Sequence, residues 1–374
     1  MNKATIWYYS AVGVSAFVYL ALGYFISWQA YGQQLMLSAI IFVAYVAIAQ
    51  HKTNVRTGIG AAIGFRLLLL FSTLSPAASS AGFWGSLSFA ENSTMLLRIL
   101  WLLCEAGTMV LLLRLIRKMG LPDKNVLLYA LNPLVILELT LHLHIVAWPI
   151  LFLTLALYFL YYHRHVFAGA AFGVGVSVLS LPLLFIPLVF RRTGPGPFLV
   201  FLGALAAVLL LLYYAGSVQA DMQELLLPDK RLDQTFNASL YPVFSSLMPG
   251  AGKVLPGYVL PVVLVAISVA LAVFRKQNSV RRLAGYMATV LTVYLLLSPA
   301  VYPWQLAPLL ALTCLSQFRF AIVWSGLLFI ALNPGFRQHE TALLLLEYAI
   351  VFLWLIVEIY FYRQRRKQLN IQKQ

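Results

Sequence analysis

The sequence predicts an all-α, polytopic integral membrane protein with about twelve transmembrane helices and one re-entrant helical hairpin. Of its 374 residues, 62% are hydrophobic and only 10% are charged, and the mean hydropathy of +0.87 lies far above that of soluble domains. Apolar runs close to membrane-spanning length follow one another along the chain. No long polar region separates them, so we expect a single membrane domain over residues 1–374.

Charged residues, or Pro and Gly, bound each apolar run. The predicted spans are 5–28, 35–50, 57–76, 93–116, 125–141, 145–162, 198–217, 254–274, 282–298, 304–316, 317–333 and 341–362. Several are shorter than the roughly 20 residues that a perpendicular crossing needs, so neighbouring helices must shield their ends. The run from His165 to Arg192 is interrupted at Ser180 and Pro182 and is basic at both ends, which predicts the re-entrant hairpin.

The basic residues predict the orientation. With twelve crossings and a hairpin, both termini lie on one side, and 20 of the 26 Lys and Arg residues fall on that side. Because positive residues favour the cytoplasm, we expect cytoplasmic termini, a basic cytoplasmic tail at 363–374 and outer loops at 78–92, 218–253 and 334–341. Topology thus accounts for the net charge of +15, and we expect membrane lipids, but no nucleic acid, as partners.

The stretch from Asn132 to Trp148 is apolar except for a cluster of ionisable residues, Glu138, His142 and His144. Ionisable groups that face hydrocarbon are expensive, so these side chains must line a wet cavity or the membrane surface. We interpret the stretch as part of an outward-facing functional cavity. Two alternatives stay open: Glu138 bonded only to backbone inside the bundle, and imidazoles placed only at the membrane interface.

Three predicted outer segments combine Pro, aromatic and hydrogen-bonding residues: NPLVILE (132–138), FNASLYP (236–242) and LSPAVYPWQ (297–305). Such turns suit a pocket for a polar head whose apolar tail lies in the bilayer, although anchors of an aromatic belt explain them equally well. The candidate binding residues are His142, His144, Asn237, Tyr241, Tyr302, Trp304 and Gln305. The usual signals of nucleotide, zinc and serine-hydrolase chemistry (GxGxxG, GK[ST], HExxH, CxxC, GxSxG) do not occur.

The string LLLSPAVYPWQLAPLLAL, followed by QFRFAIVWS and LLLLEYAIV (295–351), resembles the C-terminal part of bacterial polyprenol-phosphate-dependent mannosyltransferases of the GT-C class. FRLLLLFSTLSP (65–76), LLYALNPLVILE (127–138) and FNASLY (236–241) fit the same family in the same order. The resemblance implies a GT-C-like, multi-pass hexosyltransferase of the bacterial inner (plasma) membrane. Its partner is then a polyprenyl-phosphate-linked sugar or glycolipid; the resemblance names no certain cofactor but allows a divalent metal.

The chain departs from that family pattern at the positions where the family has acidic residues. In the first outer loop, Ser80 and Ala81 stand in place of two acidic residues, and the loop is short. The family's G-H-x-D corresponds to residues 143–146, which keeps His144 but has Val146 in place of the Asp, and a family Lys corresponds to about Ser180. Sugar transfer in this class needs a carboxylate base and groups that stabilise the leaving phosphate.

These departures lead to two main hypotheses. The first is a catalytically degenerate GT-C protein that binds a lipid-linked glycan or serves as partner of an active enzyme. The second is an active glycosyltransferase whose base has moved to Glu91, Glu138 or Asp233, which are the candidate catalytic residues. A lipid or solute transporter ranks third, because short and broken helices also suit carriers.

Overall fold

The computed structural model describes residues 3–25, 31–50, 54–72, 94–215, 236–247, 259–274, 279–331 and 340–371. Within these ranges the chain is helical between its turns, and its extended pairing amounts to one isolated parallel bridge, between Phe236 and Ala300. The predicted all-α fold is therefore confirmed for these residues.

Most of the helices lie within the predicted apolar runs, whereas the helix Tyr241–Leu247 lies in the predicted outer loop 218–253. In chain order they are α1 (Lys3–Leu20), α2 (Tyr31–Gln50), α3 (Val55–Leu68), α4 (Thr94–Lys118), α5 (Leu127–Ala130), α6 (Pro133–Val135), α7 (Ala147–Tyr161), α8 (His165–Val178), α9 (Ile186–Thr193), α10 (Pro195–Tyr214), α11 (Tyr241–Leu247), α12 (Leu260–Phe274), α13 (Val280–Leu297), α14 (Ala307–Cys314), α15 (Phe320–Ala331) and α16 (Glu340–Ile371). Wide π turns extend α1 over Ala21–Phe25 and α6 over Ile136–Leu141, and short 3-10 turns occupy Asp123–Val126, Leu181–Phe185 and Pro303–Leu306.

Several of these helices can cross a membrane by length and composition. Six qualify among the described residues: Thr5–Phe25, Gly32–Ala49, Met95–Lys118, Pro195–Tyr214, Val280–Leu297 and Leu343–Gln364. A bent pair, Asp123–Ala130 with Pro133–Leu141, makes a seventh if it counts as one span. The chain is therefore a polytopic membrane protein, while the count of twelve crossings stays a prediction.

The predicted span 125–141 is broken in the middle, with a bend of 50°. Pro133 causes the break, because proline has no backbone N–H and disfavours helical backbone in the residue before it. Asn132 is extended, and its side chain accepts a hydrogen bond from the Leu134 backbone N–H (3.0 Å). Its amide nitrogen also donates to Ser325 Oγ (2.9 Å), which ties the bend to α15. The bend therefore sets the direction of the helix that carries Glu138.

Two glycines let α8 and α10 pack at backbone distance. Gly169 faces Phe201, and Gly173, one turn further along α8, faces Leu205, one turn further along α10. The contacts therefore advance in the same direction along both helices. The two helices are parallel, and the chain between them must return to the side on which α8 began. The helix breaks after Val178, where Ser180 and Pro182 predict the interruption. This course fits the predicted hairpin, whose depth in the membrane stays a prediction.

Candidate functional site

The structure brings together the three segments that the sequence singles out. Backbone hydrogen bonds join the second to the third: Phe236 N–H donates to Pro299 O (3.2 Å), and Val301 N–H donates to Phe236 O (2.8 Å). Ring contact joins the third to the stretch 132–148 that contains the first, because the imidazole of His144 lies on the indole of Trp304. Residues from the turn after α6, from the turn before α11 and from the turn after α13 therefore form one site.

Four stacked rings form the centre of this site, and we call them the ring column: His144, Trp304, Tyr302 and Phe236. The His144 and Trp304 centroids are 4.8 Å apart at an interplanar angle of 20°, and Trp304 and Tyr302 are 6.0 Å apart at 4°. Phe236 continues the column at 5.0 Å from Tyr302 and 13°. Aromatic rings in such offset stacks contribute beyond their buried area. The column therefore fixes three distant parts of the chain relative to one another.

The turn that carries His144 has an unusual backbone. Leu143 has φ +54°, in the left-handed region that bulky side chains rarely adopt. Only glycine adopts this region without steric cost. The Trp101 indole N–H donates to His144 O (2.8 Å), and the Arg98 guanidinium lies 3.5 Å from the carbonyl oxygens of Thr140 and Leu141. Helix α4 therefore supports the turn and places a cation beside it.

Glu138 lies next to the two imidazoles, in the wide turn at the end of α6. Its Oε1 is 3.5 Å from Nδ1 of His142, and only 8% of the Glu138 side chain is exposed, against 24% for His142. Burial lowers the pKa of His144 to about 4; the charge of Glu138 opposes this lowering, and His142 adds a smaller lowering. His144 is therefore neutral at neutral pH, and Glu138 is the acid that the structure places in this cluster.

The other predicted binding residues have identifiable structural roles. Gln305 Oε1 accepts a hydrogen bond from the Tyr302 backbone N–H (3.0 Å), which closes the 3-10 turn under the ring column. Asn237 has φ +47°, and its buried amide donates to Glu347 Oε1 (3.1 Å). Tyr241 begins α11 with a buried side chain, and burial raises the pKa of its phenol. Gln305 and Asn237 therefore position the backbone that presents Tyr302 and Phe236.

Two of the three candidate bases, Glu91 and Asp233, lie outside the described residues. Their assignment stays a prediction, as does that of Glu138. The described His, Cys, Asp and Glu side chains nowhere gather in groups of three that would hold a metal ion.

Sequence reasoning passed over three residues that build the site: Arg98, Trp101 and Glu347. Glu347 was identifiable, since an acidic residue inside the apolar run of a predicted span needs a buried partner or a wet cavity. Arg98 gave a weaker signal, because a basic residue near the end of a span is commonly an interfacial anchor. Trp101 gave none, because the acceptor of its N–H is a backbone carbonyl 43 residues away.

The low pKa of His144 predicts a loss of stability in acid. Its pKa is about 4 in the folded protein and near 6.5 when unfolded, so the unfolded chain binds the proton first. Stability from the neutral imidazole is complete above about pH 6.5 and declines as the pH falls towards 4. We expect the melting temperature of the detergent-solubilised protein to fall more steeply across this window than that of His144→Gln. Parallel curves for the two proteins would contradict this interpretation of His144.

Comparison with known proteins assigns the family. The profile of glycosyltransferase family 87 matches residues 87–299, more than half of the chain. No curated protein and no solved structure matches. The matched region contains the Glu138 cluster and Phe236, and it ends just before Tyr302 and Trp304 of the ring column. The chain belongs to glycosyltransferase family 87, a family of membrane glycosyltransferases.

Proposed function

We propose that this protein binds the head of a polyprenyl-phosphate-linked sugar at the ring column and holds it without transferring the sugar. The observation that carries the proposal is the convergence of the ring column, the Glu138 cluster and Arg98 from four chain segments. Aromatic faces suit the apolar face of a sugar ring, and a guanidinium suits a phosphate.

An apolar crevice lies beside the site, between α7, the hairpin turn, α13 and α14. Its lining is apolar and includes Pro149, Leu153, Leu179, Pro182, Leu291 and Pro308. Pro149 follows the His144 turn and Pro308 follows the Trp304 turn, so head site and crevice adjoin. This arrangement supports a ligand with one polar and one hydrocarbon end.

The absence of transfer is proposed from the state of the acidic groups. The positions that carry acids in the resembling mannosyltransferases are Ser80, Ala81 and Val146 in this chain. The Glu138 carboxylate faces His142 and is nearly inaccessible, so it is poorly placed to take a proton from an acceptor hydroxyl. We propose that the protein lies in a bacterial inner membrane with cytoplasmic termini and the site facing out, and that it presents the lipid to a partner enzyme.

One observation favours the second candidate function, an active polyprenyl-phosphate-dependent glycosyltransferase. A carboxylate beside Nδ1 of an imidazole holds the proton on that nitrogen and leaves Nε2 free to act as a base. Glu138 stands in this relation to His142, and His142 is the more exposed of the two. In this scheme Nε2 of His142 accepts the proton of the acceptor hydroxyl, and Glu138 orients the imidazole.

Reconstitution with a labelled polyprenyl-phosphate sugar tests both candidates, with donor binding and sugar release measured separately. We expect the wild type to bind donor. Trp304→Leu should weaken binding about tenfold, because Trp304 is an inner ring of the ring column and its loss separates His144 from Tyr302. Trp7→Leu is the matched control, because Trp7 is largely exposed on α1, and it should bind as the wild type does. Failure of the wild type to bind donor would refute the proposal.

The release measurement separates the two functions. If the protein only binds, Glu138→Gln and His142→Gln leave release at the background rate of the wild type. If it is an active enzyme, the wild type releases sugar and either variant loses at least about a hundredfold, the usual contribution of a general base. Sugar release by the wild type that is lost in either variant would refute binding without transfer and support an active glycosyltransferase.

A further inference from the structure

Glu347 is a buried acid in the middle of apolar surroundings. It lies on α16 within the candidate span Leu343–Gln364, and only 1% of its surface is exposed. One carboxylate oxygen, Oε1, accepts from the Asn237 amide (3.1 Å) and from the Trp324 indole (3.2 Å). Both donors are neutral, so they stabilise the carboxylate without cancelling its charge.

Three oxygen atoms around this contact have no hydrogen-bond partner within the described part of the chain. Two of them, Glu347 Oε2 and Asn237 Oδ1, belong to the contact itself, and the third, Ser239 Oγ, lies two residues further along the chain; each is shielded from solvent. When Glu347 is ionised it can only accept, so the Asn237 amide must face it with Nδ2. The amide oxygen and the second carboxylate oxygen then stand at the same contact with nothing bound to either. Unpaired buried polar atoms are rare, and each calls for a specific cause.

The charge of Glu347 also needs a partner. The ion pairs formed by described residues are Arg66–Glu105, Arg117–Asp123 and His142–Glu138, and none includes Glu347. An isolated carboxylate is costly to bury, and most costly inside a membrane. A positively charged group must therefore lie beside the Glu347 carboxylate whenever it is ionised.

We infer that Glu347, Asn237 and Ser239 bind a hard monovalent cation, Na⁺, between α16 and the segment that precedes α11. Carboxylate, amide and hydroxyl oxygens are the ligands that hard cations prefer. A single positive charge neutralises the single carboxylate, whereas a divalent ion would leave an excess charge in an apolar environment.

The cation connects the last helix to the ring column. Tyr348 OH donates to Asn237 O (2.7 Å), so two successive residues of α16 hold the same asparagine. Phe236 precedes it and stacks on Tyr302. Occupation of the cation site therefore fixes the segment that carries one end of the ring column. The inference depends only on these contacts and not on the proposed donor binding.

Thermal unfolding of the purified protein at pH 8 tests the site, with NaCl exchanged for choline chloride at constant ionic strength and no donor present. We expect Na⁺ to raise the melting temperature in a saturable way, because a ligand of the folded state stabilises it by mass action. Glu347→Gln should abolish the response. Ser239→Ala removes a ligand that makes no other bond, so it should fold normally and need about fivefold more Na⁺ for half-saturation.

Glu358→Gln is the matched control, since Glu358 lies on the same helix but accepts from the backbone N–H groups of Arg319 and Phe320. It should keep the full Na⁺ response, whatever its own stability. Equal melting temperatures of the wild type in Na⁺ and choline would overturn the inference, as would an undiminished response in Glu347→Gln. A response to Mg²⁺ without one to Na⁺ would overturn the assignment of a monovalent ion.

Discussion

Replacing Arg66 by Met should lower the free energy of unfolding by about 3–5 kcal/mol, the usual cost of removing one member of a buried ion pair. The Arg66 Nη2 is 2.7 Å from Glu105 Oε2, and neither side chain reaches solvent. Arg66 also donates to the carbonyl oxygens of Ala62 (3.0 Å) and Ala130 (2.7 Å), while Tyr129 OH donates to Glu105 Oε1 (2.8 Å). Removing the guanidinium leaves Glu105 charged and held by Tyr129 alone.

Two further variants make this prediction specific. The double variant Arg66→Met/Glu105→Leu should recover most of the loss, because apolar residues of similar size replace a buried pair at little cost. Arg117→Met breaks the pair with Asp123, which is equally short (2.8 Å) but partly exposed on both sides, and should cost less than about 1 kcal/mol. Equilibrium unfolding in mixed SDS and detergent measures all three. Equal losses for Arg66→Met and Arg117→Met would contradict the role assigned to burial.

Several helix ends of this protein follow from its sequence, because a capping residue or a proline stands there. Asn54 and Ser279 show this locally: each side chain accepts a hydrogen bond from a backbone N–H in the first turn of the helix that follows. The break after Val178 and the bend at Pro133 also follow from proline chemistry. Local rules of this kind depend only on residues a few positions apart.

The partners of buried polar residues do not follow from the sequence. Asn237 and Glu347 are 110 residues apart, and Arg66 and Glu105 are 39 apart on different helices. Sequence reasoning can state that each needs a partner, since an ionisable group in a span must be compensated. It cannot choose among several candidates, because the choice depends on how whole helices pack. The same limit applies to the ring column, whose members are separately recognisable as aromatic residues near turns.

The second large effect is expected at Gly169, where α8 and α10 meet. A Cβ atom on Gly169 would overlap Phe201 O and would lie 2.9 Å from the Phe201 carbonyl carbon and 3.1 Å from Ala204 Cβ. A flexible side chain can relieve such an overlap by changing its rotamer, but backbone atoms cannot. The two helices must therefore separate. Gly169→Ala should therefore lower the free energy of unfolding by about 3 kcal/mol, at the upper end of overpacking costs.

Two other glycines of the same helix pair provide the controls. At Gly173 the nearest backbone atom, Leu205 O, lies 3.0 Å from the added Cβ, so Gly173→Ala should cost less, about 1 kcal/mol. Gly203 on α10 has no atom within 4 Å, and Gly203→Ala should be neutral or stabilise by up to about 1 kcal/mol through helix propensity. Thermal unfolding should thus rank the variants Gly203→Ala, Gly173→Ala, Gly169→Ala in order of falling melting temperature. A different order would mean that α8 and α10 do not pack at this distance, and the parallel arrangement that supports the hairpin would then lose its basis.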